Sequence, residues 1–259
     1  MRLLFIGDIV GRPGRQAVMG FVQRKRREWD LDVIVANGEN AAAGAGITTT
    51  IAAELHSAGI DALTLGDHCW DQRGFANEID SIPYICRPYN LPKQCPGADH
   101  LIVPVGEHKL GVVTLLGQTF MKLKSDNPFN AVSGLLRELR KQTDFIFVEM
   151  HAEATSEKVA MGWFLDGQVA AVIGTHTHVP TADGRCLPRG TAYLTDAGMS
   201  GPYASVLGRD IGAVTLAAQD GLPRRFEVAE NDVRISGCVL DLDPKSGLCT
   251  KFEQVFEEV

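Results

Sequence analysis

The chain has 259 residues, 45% of them hydrophobic, and a formal net charge of −7. That length supports one large core or at most two small domains, and we expect a single domain over residues 1–259. The negative charge excludes a global basic field that would recruit nucleic acid or anionic lipid. We therefore predict no stable nucleic-acid partner and no membrane association.

The cysteines and the apolar runs indicate a cellular context. The six cysteines are scattered without a C-x-x-C pair, which argues against a zinc ribbon or a thioredoxin-like motif. No apolar stretch approaches the ~20 residues of a membrane span, and Leu3–Ile6 is too short for an export signal. We expect a cytoplasmic protein and, because symmetric homo-oligomers are common, a homo-oligomer.

Five strand-like apolar runs each end at an ionisable or metal-binding residue. They are Leu3–Gly7 before Asp8, Val33–Gly38 before Glu39 and Asn40, Ala62–Gly66 before Asp67 and His68, Phe145–Met150 before His151, and Val169–Ile173 before Gly174–His178 with His176 and His178. In open α/β sheets, sites form outside the carboxyl ends of the strands. The five ends are therefore expected to converge on one pocket.

Helical patterns separate the first runs. Pro13 suits the first turn of a helix, and Thr48 can cap a second helix that runs through Leu55 and ends at Gly59. The resulting β-α-β-α-β order predicts a mainly parallel sheet covered by helices.

The pattern loosens between residues 69 and 99, where four prolines exclude a continuous helix. We interpret this stretch as a lid-like excursion near the site.

The rest of the chain predicts a second group of strands. Leu101–Val103 and Val112–Leu116 favour a hairpin or adjacent strands, and a helix is expected over about residues 130–141. Beyond His178 we predict further strands at 192–195, 212–216 and 234–242. The fold class is therefore α/β, with two sheets packed together.

The candidate ligands combine carboxylate oxygens with imidazole nitrogens, a set that suits Mn, Fe, Zn or similar ions. Seven candidates exceed the needs of one tetrahedral zinc. They suit two metals, which in such sites lie ~3.5–4 Å apart, polarise a phosphate and activate a bridging water as hydroxide. The predicted metal-binding residues are Asp8, Glu39, Asn40, Asp67, His151, His176 and His178.

In this order, the motifs G-D, G-E-N, G-D-H, a lone H and G-T-H-T-H resemble those of the calcineurin-like metallophosphoesterases. Gly7–Gly11, Asn37–Asn40 and Gly198–Pro202 are similar to the YmdB-like branch, which comprises bacterial dinuclear phosphodiesterases of cyclic nucleotides. The resemblance covers about residues 3–212. It implies a four-layer α/β/β/α sandwich of two packed mixed sheets flanked by helices.

The same resemblance implies roles for the site residues. Asp8, Asn40 and His178 would hold one divalent ion, Asp67, His151 and His176 the other, and Glu39 would bridge them. The ions would be Fe or Mn foremost, with Zn and Co as alternatives. A hydroxide between them would attack a small-molecule phosphodiester, 2′,3′-cyclic nucleotides first and 3′,5′-cyclic nucleotides second. His68 would donate a proton to the leaving oxygen.

Two positions depart from the family patterns. Val10 stands where the broader superfamily has a histidine ligand. The YmdB-like branch also lacks a histidine at this position. Asp67 replaces the usual asparagine of G-N-H, and its carboxylate adds a negative charge that should strengthen cation binding.

The sequence leaves two alternative functions and the role of one further residue, Asp196, undecided. Gly7, Gly11 and Gly14 suggest a dinucleotide oxidoreductase, but their spacing is not G-x-G-x-x-G and four motif histidines would be unexplained. A regulatory or scaffold protein could keep the metal site with vestigial hydrolase activity. Asp196 also ends a strand-like run, where it either supports the site or forms a turn.

Overall fold

The computed structural model describes residues 1–259, which form fourteen strands and five α-helices. The strands are β1 (Arg2–Ile6), β2 (Asp8–Ile9), β3 (Val33–Asn37), β4 (Ala62–Thr64), β5 (Ile85–Cys86), β6 (Leu101–Val105), β7 (His108–Leu116), β8 (Phe145–His151), β9 (Ala171–Thr175), β10 (Arg185–Cys186), β11 (Ala192–Leu194), β12 (Met199–Pro202), β13 (Val233–Leu242) and β14 (Cys249–Glu258). The helices are α1 (Gly11–Glu28), α2 (Thr49–Ser57), α3 (Pro128–Leu139), α4 (Thr155–Leu165) and α5 (Ile211–Asp220).

The strands form two mixed sheets. The eight-stranded sheet has the order β2-β12-β13-β1-β3-β4-β5, with β14 paired to β13. The six-stranded sheet has the order β10-β11-β9-β8-β7-β6. β1, β3 and β4 are mutually parallel, as are β7, β8 and β9, so the predicted ligand-bearing runs end at a common edge in each sheet.

Alternation along the strands separates the core into layers. Leu3 and Phe5 of β1 face the second sheet, where Phe5 packs 4.9 Å from Phe147 between ring centroids. Leu4 and Ile6 face the opposite way, into a cluster shared with α1 and α2. A third cluster joins the outer face of the second sheet to α3 and α4. The predicted four-layer α/β/β/α sandwich is confirmed.

Local capping explains where the predicted helices begin. The side chain of Thr48 accepts a hydrogen bond from the Ile51 amide at 3.2 Å, and α2 starts at the next residue. Asn127 caps α3 in the same way through the amides of Phe129 and Asn130. Leu101–Val105 and His108–Leu116 form the predicted hairpin. None of the helices is both long and apolar enough to cross a membrane.

One predicted strand is wrong. Residues 212–216 lie in α5, not in a strand. The Asp210 carboxylate accepts a hydrogen bond from the Ala213 amide at 2.8 Å and so caps the helix, while Gly221 ends it in the left-handed conformation with φ of 71°. The β-branched and apolar composition suggested a strand, but the capping residues at each end decide the local structure.

Residues 69–99 contain two 3-10 helices, Phe75–Asn77 and Ile79–Ser81, and the short strand β5. Several of their apolar side chains are fully buried in the cluster that α1 and α2 share with the first sheet, including Cys69, Phe75 and Ile79. The stretch is therefore anchored to the core. Its movement as a lid stays a prediction.

Candidate metal centre

The carboxyl ends of strands from both sheets meet at one cluster of ligand atoms. Single ligand atoms of Glu39, Asp67, His151 and His176 all lie within 4.8 Å of one another. His151 Nε2 is 3.0 Å from Glu39 Oε1 and 3.1 Å from Asp67 Oδ1. His176 Nδ1 is 3.3 Å from the same Asp67 oxygen. Four of the seven predicted ligands therefore form one compact group.

Glu39 connects this group to two more predicted ligands. Its Oε1 atom lies 3.1 Å from Asn40 Nδ2, and that amide lies 3.3 Å from His178 Nε2. Turning the Asn40 amide by 180° would place its oxygen at the same point, next to the imidazole nitrogen. Glu39 thus lies between a group that contains His151 and a group that contains His178.

The seventh predicted ligand, Asp8, is fully buried at the start of β2. Its Oδ2 atom accepts a hydrogen bond from the His176 amide at 3.1 Å, whereas Oδ1 is buried without any hydrogen-bond partner. Burial raises the pKa of this carboxyl well above its usual value. An unpartnered buried carboxylate oxygen is costly, and a bound cation would satisfy it.

The electrostatics of the cluster also fit cations. Burial lowers the pKa of His151, but Glu39, Asp67 and Asp8 outweigh it and hold that pKa well above the ordinary value. Burial opposes ionisation of Asp67, yet hydrogen bonds from His151 and His176 keep the pKa of that carboxyl well below its usual range. The same negative potential attracts divalent cations, and the mixed oxygen and nitrogen donors suit transition metals.

Gly66 allows this close approach. A β-carbon at this position would lie 2.3 Å from both Glu39 Oε2 and His151 Nε2. Any side chain here would displace two of the four clustered ligands, so the glycine before Asp67 is required by the site.

A buried hydrogen-bond relay orients His151. Its Nδ1 atom lies 2.9 Å from Thr175 Oγ1, and the Thr175 hydroxyl donates to Glu149 Oε1 at 2.6 Å. Glu149 is fully buried and also accepts from Asn37 Nδ2 at 2.6 Å and from Thr114 Oγ1 at 3.1 Å. Engaging one ring nitrogen leaves the other for the ligand cluster. Glu149 was missed, although a lone carboxylate inside the apolar run of β8 was a usable signal.

The other two histidines are held in the same manner. His176 Nε2 lies 3.1 Å from Glu153 Oε2, so Nδ1 faces the cluster. His178 Nδ1 lies 3.3 Å from the Leu207 carbonyl oxygen, so Nε2 faces Asn40. Neither Glu153 nor Leu207 belongs to a recognisable motif.

The loop that carries these two histidines has a strained backbone. His176 has a φ of 96° and His178 a φ of 65°, both in the left-handed region that disfavours side chains. Between them, the Asp196 carboxylate accepts bonds from the Thr177 amide at 3.1 Å and hydroxyl at 2.7 Å. Asp196 is itself paired with buried Lys158 at 2.6 Å. Asp196 therefore supports the site, one of its two predicted possibilities.

His68 lies beside the cluster rather than in it. Its amide donates to Glu39 Oε2 at 3.2 Å, and its Nδ1 is 2.6 Å from Asp71 Oδ2. The imidazole is 36% exposed. Burial lowers the pKa of His68, but Glu39 and Asp71 outweigh it and raise that pKa above the ordinary value. Such an imidazole, with Asp71 on one nitrogen, can hold a proton on the other.

A cavity of about 550 Å³, here called the site cavity, opens over these residues. It is lined by Glu39, Asn40, Gly44, His68, Lys122, Glu153, His176, Thr177, His178, Val206, Leu207, Arg209, Val214 and Phe226. The predicted site residues account for part of this lining only. Apart from Thr177, which lies within the G-T-H-T-H motif, the other lining residues are on loops and on α5, where no motif marked them.

Two mixed sheets between helices, with carboxylates and histidines at the strand ends, define a protein with a metallophosphoesterase fold. The chain belongs to the YmdB-like protein family, whose sequence model matches residues 4–255. The predicted family is confirmed.

Named relatives match nearly the whole chain. It is 44% identical to the 2′,3′-cyclic-nucleotide 2′-phosphodiesterase of Bacillus subtilis (strain 168), over 98% of this chain and 96% of that protein. Two crystal structures superpose closely. A hypothetical protein of Thermus thermophilus gives a TM-score of 0.92 at 38% identity, covering 100% of this chain and 99% of that one. A phosphatase of Mycoplasma pneumoniae gives 0.93 at 30% identity, covering 100% and 93%.

Proposed function

We propose that this protein is a metal-dependent phosphodiesterase that hydrolyses 2′,3′-cyclic nucleotides. The observation that carries the proposal is the 44% identity to the Bacillus subtilis enzyme of that name. The placement of His68 beside the Glu39-centred ligand cluster agrees with it. The substrate is a small molecule, and 3′,5′-cyclic nucleotides are the second candidates.

Two divalent cations fit the arrangement of ligands. In this proposal Asp67, His151 and His176 would hold one, Asp8, Asn40 and His178 would hold the other, and Glu39 would contact both. The support is the position of Glu39 Oε1, 3.0 Å from His151 Nε2 and 3.1 Å from Asn40 Nδ2. When bound, the cations neutralise phosphate charge and lower the pKa of water. The mixed oxygen and nitrogen ligands accept Fe, Mn, Zn or Co. We propose Fe or Mn first, on the resemblance to the YmdB-like family, with Zn or Co as alternatives.

The chain's own residues then have distinct roles. His68 holds a proton and donates it to the leaving oxygen of the ribose, since its pKa is raised and Asp71 engages its Nδ1 atom. Glu149 keeps His151 in one tautomer through Thr175. Lys122 also lines the site cavity, where its positive charge can attract an anionic substrate.

The alternative is a regulatory or scaffold protein with a vestigial site. A protein that acts only by binding partners at its surface does not need a strained loop that carries His176 and His178, or an imidazole at the cavity that is hydrogen-bonded to Asp71. This chain has both features, so hydrolysis is the favoured function.

The test is a panel of cyclic and linear phosphodiesters, assayed with Mn, Fe, Zn or Co and again with EDTA. We expect adenosine 2′,3′-cyclic phosphate to be converted to the 3′-nucleotide, and bis-p-nitrophenyl phosphate to be cleaved, in the presence of metal only. Elemental analysis should give two metals per chain. Activity that survives chelation, or a metal-loaded protein inert toward every diester, would contradict the proposal.

The single domain, the cytoplasmic location and the homo-oligomer stay predictions. Limited proteolysis, cell fractionation and light scattering would test them in turn. A chain that splits into two folded fragments, a protein found outside the cytoplasm or a monomer at high concentration would contradict them.

A further inference from the structure

The site cavity has two chemically different ends. One end, the metal end, carries His68 and four of the predicted ligands: Glu39, Asn40, His176 and His178. The other three, Asp8, Asp67 and His151, contact these ligands but do not line the cavity. The other end, the apolar wall, is formed by side chains without hydrogen-bonding groups: Val206, Leu207, Val214 and Phe226. Leu207 is 50% exposed and Phe226 38% exposed, although both are large and apolar. Apolar surface of this kind beside polar groups is typical of a ligand site.

The apolar wall is held in place by backbone hydrogen bonds. Val206 and Arg209 bond reciprocally at 2.9 and 3.0 Å and close a turn in which Leu207 has a φ of 51°. The following residue, Gly208, accepts from the Ala229 amide at 3.0 Å, which ties this turn to the segment that carries Phe226. Leu207 and Phe226 are therefore presented by segments that hold each other.

Arg209 is occupied by this structural task. Its Nη1 atom donates to the carbonyl oxygens of Ala43 at 2.8 Å and Phe226 at 3.3 Å, and its Nη2 atom donates to Gly44. The guanidinium thus clamps the Phe226 segment to the loop that follows Asn40. Three of its hydrogen bonds go to backbone carbonyl oxygens, which hold the guanidinium against the protein. The four side chains of the apolar wall carry no polar group with which to read the edge of a ligand.

Leu207 links the two ends of the cavity. Its carbonyl oxygen accepts from His178, a predicted metal ligand, while its side chain belongs to the apolar wall. A molecule whose phosphate lies at the metal end therefore presents its next group to that wall. In a cyclic nucleotide, the groups beyond the phosphate are the ribose and then the flat, aromatic base.

We propose that the apolar wall is the nucleobase subsite, with Phe226 supplying an aromatic face and Leu207 and Val214 supplying aliphatic contacts. This inference rests on the proposed function, because it assumes a nucleotide at the metal end. Stacking tolerates every base, since every base has a π-face. The enzyme should accept all four bases and favour purines, whose larger rings cover more of the wall.

Two substrates, one with a base and one without, distinguish binding of the base from hydrolysis of the phosphodiester. The first is adenosine 2′,3′-cyclic phosphate, and the second is 1-O-methylribose 2,3-cyclic phosphate, which has no base. In the Mn-loaded protein, Phe226→Ala should raise KM for the adenosine substrate on the order of 10-fold, the range expected for one lost stacking contact. The kcat should change little, and kinetics on the base-free substrate should be unaffected. Phe226→Trp should restore KM.

Phe120→Ala is the matched control, because Phe120 is 84% exposed and does not line the site cavity. It should leave both substrates unaffected. Equal effects of Phe226→Ala on the two substrates, or none on either, would overturn the subsite while wild-type hydrolysis leaves the proposed function standing. A wild-type protein that cleaves neither substrate with any of the four metals removes the proposed function and the subsite together.

Discussion

The two ends of the site cavity are built from different kinds of structure. The metal end is built on buried side chains such as Asp8, Glu39 and His151, which stand at or next to strand ends, where the ladders of two sheets fix them. The apolar wall comes from a turn, from the segment that carries Phe226, and from α5, in which no residue is buried. Ligand geometry must be exact to a fraction of an ångström, and a sheet edge supplies that rigidity. Substrate contacts tolerate loops.

Removing a predicted metal ligand should have the largest effect at the metal end. His176→Ala removes an imidazole from the four-residue cluster, so we expect loss of bound metal and of activity on both cyclic nucleotide and p-nitrophenyl diesters. Elemental analysis and the two assays would measure this. His108→Ala, at an exposed position in β7, is the control and should keep both. Full metal content in His176→Ala would exclude His176 as a ligand.

His68 lies at the metal end without belonging to the cluster, which makes it a sharper probe. His68→Ala should keep the metals but slow cyclic-nucleotide hydrolysis by ~10²–10⁴-fold, the usual contribution of general acid catalysis. A p-nitrophenyl ester should lose less, because its leaving oxygen hardly needs a proton. Asp71→Asn should give a smaller loss in the same direction. If His68→Ala strips a metal or slows both substrates equally, the donor role is wrong.

A substitution at Glu149 tests whether the buried hydrogen bonds that orient His151 contribute to metal affinity. Glu149→Gln replaces an acceptor oxygen by an amide that faces the donors Asn37 and Thr175. We expect metal affinity, measured by chelator competition on the folded protein, to fall by about 10–100-fold. Exposed Glu107→Gln should have no effect. A lower free energy of unfolding with unchanged metal affinity would make Glu149 a purely structural residue.

The smallest effect is expected in α5. Leu216 is 47% exposed, so Leu216→Ala should change the free energy of unfolding by no more than about 0.5 kcal/mol. Leu136 of α3 is 3% exposed, and Leu136→Ala should cost about 2–5 kcal/mol. Denaturant unfolding would measure both. A large cost at Leu216 would mean that a second copy of the chain covers α5, and light scattering would then show a change in mass.

Sequence reasoning identified the metal end because two regularities coincide there. Buried strands appear as continuous apolar runs, and each ligand motif stands directly after such a run or closes it, as in Gly66-Asp67-His68. Parallel strands bring those ends to a common edge, so adjacency in space follows from position along each strand. The same reasoning failed for residues 212–216, because an apolar segment between Asp210 and Gly221 fits a strand or a capped helix equally well.

The sequence by itself therefore determined the sandwich, the family and the candidate ligands, since all three depend on local patterns. Only the tertiary structure decided the positions of Leu207, Arg209 and Phe226. Arg209 bonds to Ala43, 166 residues away in the chain, and Leu207 reaches His178 from a left-handed turn. No periodicity marks contacts of this kind, because they depend on how distant loops meet after the sheets have packed.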